Sequence, residues 1–262
     1  MRVQRLGAGA SAAAVLRGLH ERALRLGLPP PAALTGEWFG SAAVLAPSVA
    51  LRPRALHVAF AAGGAGKATL TAHSGPVGGG WIGYRGYPDG SGALPEAAGG
   101  WTDCVLRLDL HNCWWFESLS GAPCPPGLTA AVAVGAAESS WHLDWLTPDA
   151  AAHQHRVRQC LEAIADGEIY QACVCTRFAG NLDGEAVHLF ASGIEADKPA
   201  RAAYLAGPWA AVASFSPELY PAVWHPVSTV EGKLRRGVTD AQLLEATIPP
   251  ASVRWHHYRL KP

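Results

Sequence analysis

The chain has 262 residues, enough for one large domain or two ordinary ones with a well-filled core. Hydrophobic residues make up 49% and charged residues 16%, a soluble globular balance, and 29 glycines with 20 prolines stay below the level that signals disorder. Lysine plus arginine equals aspartate plus glutamate at 21 each, which excludes the broad basic field that nucleic acid or an anionic membrane would require.

Taken in chain order, "MRVQRLGAGASAAAVLRGLH" has early arginines but a middle of alanine and glycine, with Arg17 and His20 close behind. It reads as an amphipathic start to the domain and not as an export signal. "AALTGEWFGSAAVLAPSVAL", "ALHVAFAA", "GGWIGYRGYP" and "CVLRLDLHNCWWFESL" are short apolar runs between glycine and proline, predicted as strands. In the last of these, His111 and Asn112 mark a hairpin turn. "TPDAAAHQHRVRQCLEAIADGE" predicts a helix with Thr147 as N-cap, Pro148 at its first position and Gly167 as its stop. Val157, Leu161 and Ile164 recur at helical spacing and should form its buried stripe. "IYQACVCTRF" reads as a strand with Gln171, Cys173, Cys175 and Arg177 on one face. "AAYLAGPWAAVASFSPELY" reads as two strands around Gly207 and Pro208. "TDAQLLEATIPP" is a short helix, in which Thr239 and Gln242 have capping-box spacing.

Other patterns carry little chemistry. "AAGGAGKATL" lacks two residues of a phosphate loop, with Ala61 at the first position and Ala68 after Lys67. His153 with His155, and His256 with His257, have no third ligand at useful spacing and read as solvated. The six cysteines form no CxxC pair, which favours reduced thiols and a cytoplasmic setting. No run of about 18 apolar residues is present to span a membrane. The ten tryptophans are scattered and read as core and turn anchors.

Three stretches carry a resemblance. "GEIYQACVCTRF" (167–178), "SFSPELY" (214–220) and "VWHPVSTVEGKLRRGVTDAQLLEATIPPASV" (223–253) stand in the order of motifs in the chorismate-utilising enzymes. The last resembles the family's H-x-V-S-T-V-x-G segment. Upstream, "LTGEWFGSAAVLAPS" and "GGWIGYRGYP" are similar to the aminodeoxychorismate synthase component I branch. The resemblance implies an α+β fold like anthranilate synthase component I, with two subdomains of antiparallel sheets flanked by helices. It implies a mainly β N-terminal region over 1–140, a chorismate-binding catalytic region over 141–253 and an unmatched tail over 254–262.

The implied reaction converts chorismate and ammonia to 4-amino-4-deoxychorismate for p-aminobenzoate and folate synthesis. A glutamine amidotransferase partner supplies the ammonia, and Mg2+ is the family's cofactor. Glu218 matches the general acid/base, His225 the histidine near the ring hydroxyl, and Thr229 and Gly232 a substrate-contacting turn. Gln171 stands where the water-adding members have a lysine base, which favours an ammonia user.

Only six residues separate Glu218 from His225, where the family has a long stretch holding P-I-K-G-T and an E-K-D-R-A-E-N helix. The late T-G-A-P-K is replaced by "RWHHYRLKP". The expectation is therefore a deleted and truncated member with an incomplete second subdomain and unpaired apolar edges there. It lacks the proposed lysine nucleophile and the magnesium ligands, and Lys233 belongs to another motif. Two alternatives stay open: anthranilate synthase component I, or a non-catalytic remnant or interaction module.

Overall fold

The computed structural model describes residues 1–55, 75–86, 94–170, 172 and 174–215. The predicted "ALHVAFAA" strand, apart from Ala55, the "TDAQLLEATIPP" helix and the 254–262 tail lie outside them.

The amphipathic start resolves into a strand, β1 (Arg2–Gly7), and a helix, α1 (Ala12–Leu26). Ser11 caps α1 by accepting from the Ala14 backbone N–H, and Gly27 in the left-handed conformation closes it. Its buried residues include Leu16, Arg17, His20 and Ala23, so two basic side chains stand within the core stripe. β2 (Ala32–Trp38) and β3 (Ser41–Ala46) form a hairpin. Its turn has Phe39 and Gly40 both at positive φ (52° and 64°), the geometry that matches strand twist. Gly36, at φ 89°, is fixed by crowding: a Cβ there would stand 2.2 Å from the Ala200 carbonyl oxygen.

β4 (Arg52–Pro53), β5 (Gly80–Arg85) and β6 (Ala97–Thr102) make a three-stranded sheet. β7 (Cys104–Asp109) and β8 (Trp114–Ser118) form the hairpin expected at His111 and Asn112. Asn112 adopts φ 58°, and the Asp109 Oδ1 accepts from the backbone N–H groups of His111 and Cys113, each at 2.9 Å. α2 (Pro126–Val134) starts on a proline, whose missing N–H costs nothing there.

β9 (His142–Leu146) pairs with β10 (Ala179–Asp183), and between them lies α3 (Ala150–Ala165). Two expectations for α3 are corrected. Its N-cap is Asp149 and not Thr147, because the Asp149 carboxylate accepts from both Ala151 and Ala152 N–H. Its stripe is not core: α3 buries no residue, with Leu161 59% and Ile164 39% exposed. The expected strand over 169–178 is also absent among its described residues, since no neighbouring strand meets it, and Cys175 is exposed.

α4 (Ala186–Asp197) ends on Lys198 at φ 43°, followed by Pro199. β11 (Arg201–Gly207) and β12 (Ala210–Ser214) then form the expected hairpin around Pro208. The main sheet has seven antiparallel strands in the order β1-β8-β7-β3-β2-β11-β12. The molecule is thus α+β, built on antiparallel sheets and four described helices.

Both faces of this sheet are covered. Against one face, Val15, Leu16 and Leu19 of α1 and Val187 and Phe190 of α4 pack on Leu45, Leu106, Trp114, Phe116 and Tyr204. Against the other, Val49, Leu51, Tyr84 and Ala98 meet Ala32, Ala203, Leu205 and Val212. β11 therefore alternates between two cores, Tyr204 to one and Leu205 to the other, and reads as a near-continuous apolar run. Of the 200–262 stretch where unpaired apolar edges were expected, the described part is 200–215, in which β11 is paired on both sides and β12 is the end strand of the sheet. Exposed apolar side chains lie earlier, at Trp145, Leu146, Leu161, Tyr170 and Phe178.

Candidate functional site

All five residues singled out from sequence, Gln171, Glu218, His225, Thr229 and Gly232, lie outside the described residues. What is described is the frame around two of them. β12 runs toward Glu218 and ends beside Phe215, whose ring stacks on Phe190 of α4 at 5.4 Å. Phe190 in turn leans on Tyr204 at 5.5 Å. This aromatic column anchors the end of β12 on α4 and β11. Around Gln171, Tyr170 is 92% exposed, and Thr176 shares a 2.6 Å hydrogen bond with His153 Nδ1. His153 was expected to be solvated; it is half-buried and tied to this stretch, while His155 is exposed.

Sequence reasoning missed two buried polar groupings. The first is on adjacent strands, where Arg107 of β7 pairs with the fully buried Glu117 of β8. Glu117 Oε1 takes the Arg107 Nε–H, and Oε2 takes the backbone N–H groups of Val77 and Gly78. Both carboxylate oxygens are engaged, so Glu117 holds the 77–78 backbone against the sheet, a structural role. The second lies between α1 and α4: Arg17 NH2 meets Glu195 Oε2 at 2.8 Å, and His20 meets His188 edge-on at 5.9 Å. The signal available for it was two polar residues, Arg17 and His20, at core spacing with Ala13 and Leu16.

Other titratable groups are held in one state. Burial pushes the Cys104 thiol up, and nearby Asp103 adds to it; burial does the same for Cys124. Neither is an activated nucleophile. Asp103 lies below the usual carboxylate range because Ser120 and Ser118 donate to it. Burial works against Asp109, but donation from Trp115 Nε1 and the Cys113 and His111 backbone outweighs it and lowers its pKa. Trp114, fully buried, donates its indole N–H to the Ala10 carbonyl, the anchoring role expected of the tryptophans.

Among the described residues no group of three or more histidine, cysteine, aspartate or glutamate side chains could hold a metal ion. No described helix is long and apolar enough to cross a membrane.

The elements from β9 to β12 form one continuous run of the chain. Residues 136–220 match the family model of the chorismate binding enzymes. The match supports the chorismate-utilising family over about a third of the chain. No curated protein matches. The matched segment takes in α3, the Gln171 stretch, α4, the β11–β12 hairpin and the Ser-Pro-Glu motif that ends in Glu218. It gives β11 and β12 to the main sheet through β2, with Tyr204 opposite Ala33.

Proposed function

We propose that this chain is an aminodeoxychorismate synthase component I by ancestry, with the anthranilate synthase component I-like fold. The observation that carries the proposal is the chorismate-binding match over 136–220, which encloses both Gln171 and Glu218. The ammonia-using branch is favoured by glutamine at 171, where water-adding relatives would have a base, and by the upstream stretches "LTGEWFGSAAVLAPS" and "GGWIGYRGYP". On this reading residues 1–140 are the N-terminal region and 141–253 the chorismate-binding region, working with a glutamine amidotransferase.

In this chemistry ammonia forms a new C–N bond while the C4 hydroxyl of chorismate departs. Hydroxide leaves poorly, so a proton must reach that oxygen and release water. Glu218 is the proposed proton donor and His225 the second catalytic residue, near the ring hydroxyl, with Gln171, Thr229 and Gly232 as substrate contacts. Magnesium would supply charge neutralisation at a carboxylate, but its family ligands belong to the helix missing between Ala222 and Val223 and to a late glutamate that is also missing. The P-I-K-G-T lysine is missing from the same place. We therefore assign this chain no turnover of its own.

The test is chorismate consumption by the purified chain with magnesium and ammonium, with products identified by mass. The expected result is no consumption above the protein-free rate in a sample shown to be folded by circular dichroism. Formation of 4-amino-4-deoxychorismate would overturn the inactive assignment, and anthranilate with pyruvate would replace the branch.

A further inference from the structure

α1 and α4 meet through a polar cluster that the proposed chemistry does not use. At one end Glu195 accepts from Arg17 and from Ser11 Oγ. At the other, the rings of His20 and His188 meet edge-on, with an interplanar angle of 86°. His20 is 7% exposed and His188 9%. Both ring nitrogens of His20 and Nδ1 of His188 are buried, with no hydrogen-bond partner among the described residues. Arg17 Nε is in the same state. Neutral imidazoles tolerate such a site, but two adjacent imidazoliums beside an arginine would repel one another in a dry setting.

We propose that the His20–His188 pair is a proton-operated latch between α1 and α4, closed while both rings are neutral and opened by proton uptake in mildly acidic solution. The surrounding charges set its balance. For His20, burial opposes protonation first; Glu185 and Glu21 favour it, and His188 opposes it. For His188, burial again leads, Arg17 adds to it, and Glu185 and Glu21 act the other way. β11 contributes Tyr204, whose hydroxyl burial holds neutral, while α2 brings no titratable side chain to α1. Both histidines are thus depressed below the ordinary value of about 6.5.

The sign follows from proton binding. Above about pH 6.5 the rings are neutral whether α1 and α4 are packed or apart, and the latch is closed. As pH falls below that value, the separated helices take up protons that the packed pair refuses. The closed state therefore loses stability from about 6.5 down to the depressed native values. Each refused proton raises the opening equilibrium about tenfold per pH unit within that window. Because α4 lies inside the chorismate-binding segment and α1 outside it, the latch joins that segment to the rest of the fold.

Hydrogen exchange on the whole chain at pH 7.5, 6.5 and 5.5, expressed as protection factors, tests this. The expected result is a fall of about tenfold or more in α1 and α4 between pH 6.5 and 5.5. His188→Leu, which cannot take up a proton, should lose at least half of that fall on a logarithmic scale. Constant protection in the wild-type chain, or an equal fall in His188→Leu, would overturn the proposal. If the variant does not fold, NMR titration of the wild-type histidines decides: the latch requires both to titrate below 6.5, and titration of either at or above that value overturns it.

Discussion

Glu117 has no exposed surface, and both of its oxygens are engaged by Arg107 and the 77–78 backbone. Glu117→Ala leaves a buried guanidinium and two backbone donors unpaired, and should cost about 3–5 kcal/mol, read from the denaturant midpoint at unchanged slope. The double variant Arg107→Met/Glu117→Leu should recover most of that loss, because an apolar pair leaves no charge stranded. This pair was not legible in the sequence. A charged residue in a strand reads as solvent-facing unless something covers it, and the cover here is a segment 40 positions away. The hairpin turn at Asn112 was legible, because its positive φ and the Asp109 side-chain bonds are local.

At the scale of elements, α3 separates what a pattern determines from what it does not. The spacing of Val157, Leu161 and Ile164 correctly marks a helix, but periodicity says only which residues share a face. Whether another element covers that face is a non-local fact, and here the stripe stays exposed. Leu161→Ala should therefore change stability by no more than about 0.5 kcal/mol. Leu19→Ala, in the α1 stripe at 0% exposure, should cost about 2–5 kcal/mol in the same unfolding experiment. The cap makes a second contrast: Asp149→Ala should lose about 1 kcal/mol of helix stability, seen as faster amide exchange over 150–154, and Thr147→Ala almost none. Sequence placed the cap two residues early because Thr-Pro-Asp offers two acceptable caps, and only the backbone turn chooses between them.

Across the whole molecule, the seven-stranded sheet seats β11 between β2 and β12 and buries it on both faces. The strands were readable from alternation and turns; their order was not, since the paired residues of β2 and β11 are 165 to 171 positions apart. The resemblance to the chorismate-utilising enzymes was readable because its motifs stand in order, and the match over 136–220 agrees with that reading as far as Tyr220. The residues that would do chemistry beyond it, His225, Thr229 and Gly232, lie outside the described chain. The proposed function is a chorismate-utilising ancestry without turnover. Mass detection of products from chorismate, magnesium and ammonium with the folded chain tests it most directly. Chorismate should remain unconsumed; accumulation of 4-amino-4-deoxychorismate would refute the proposal.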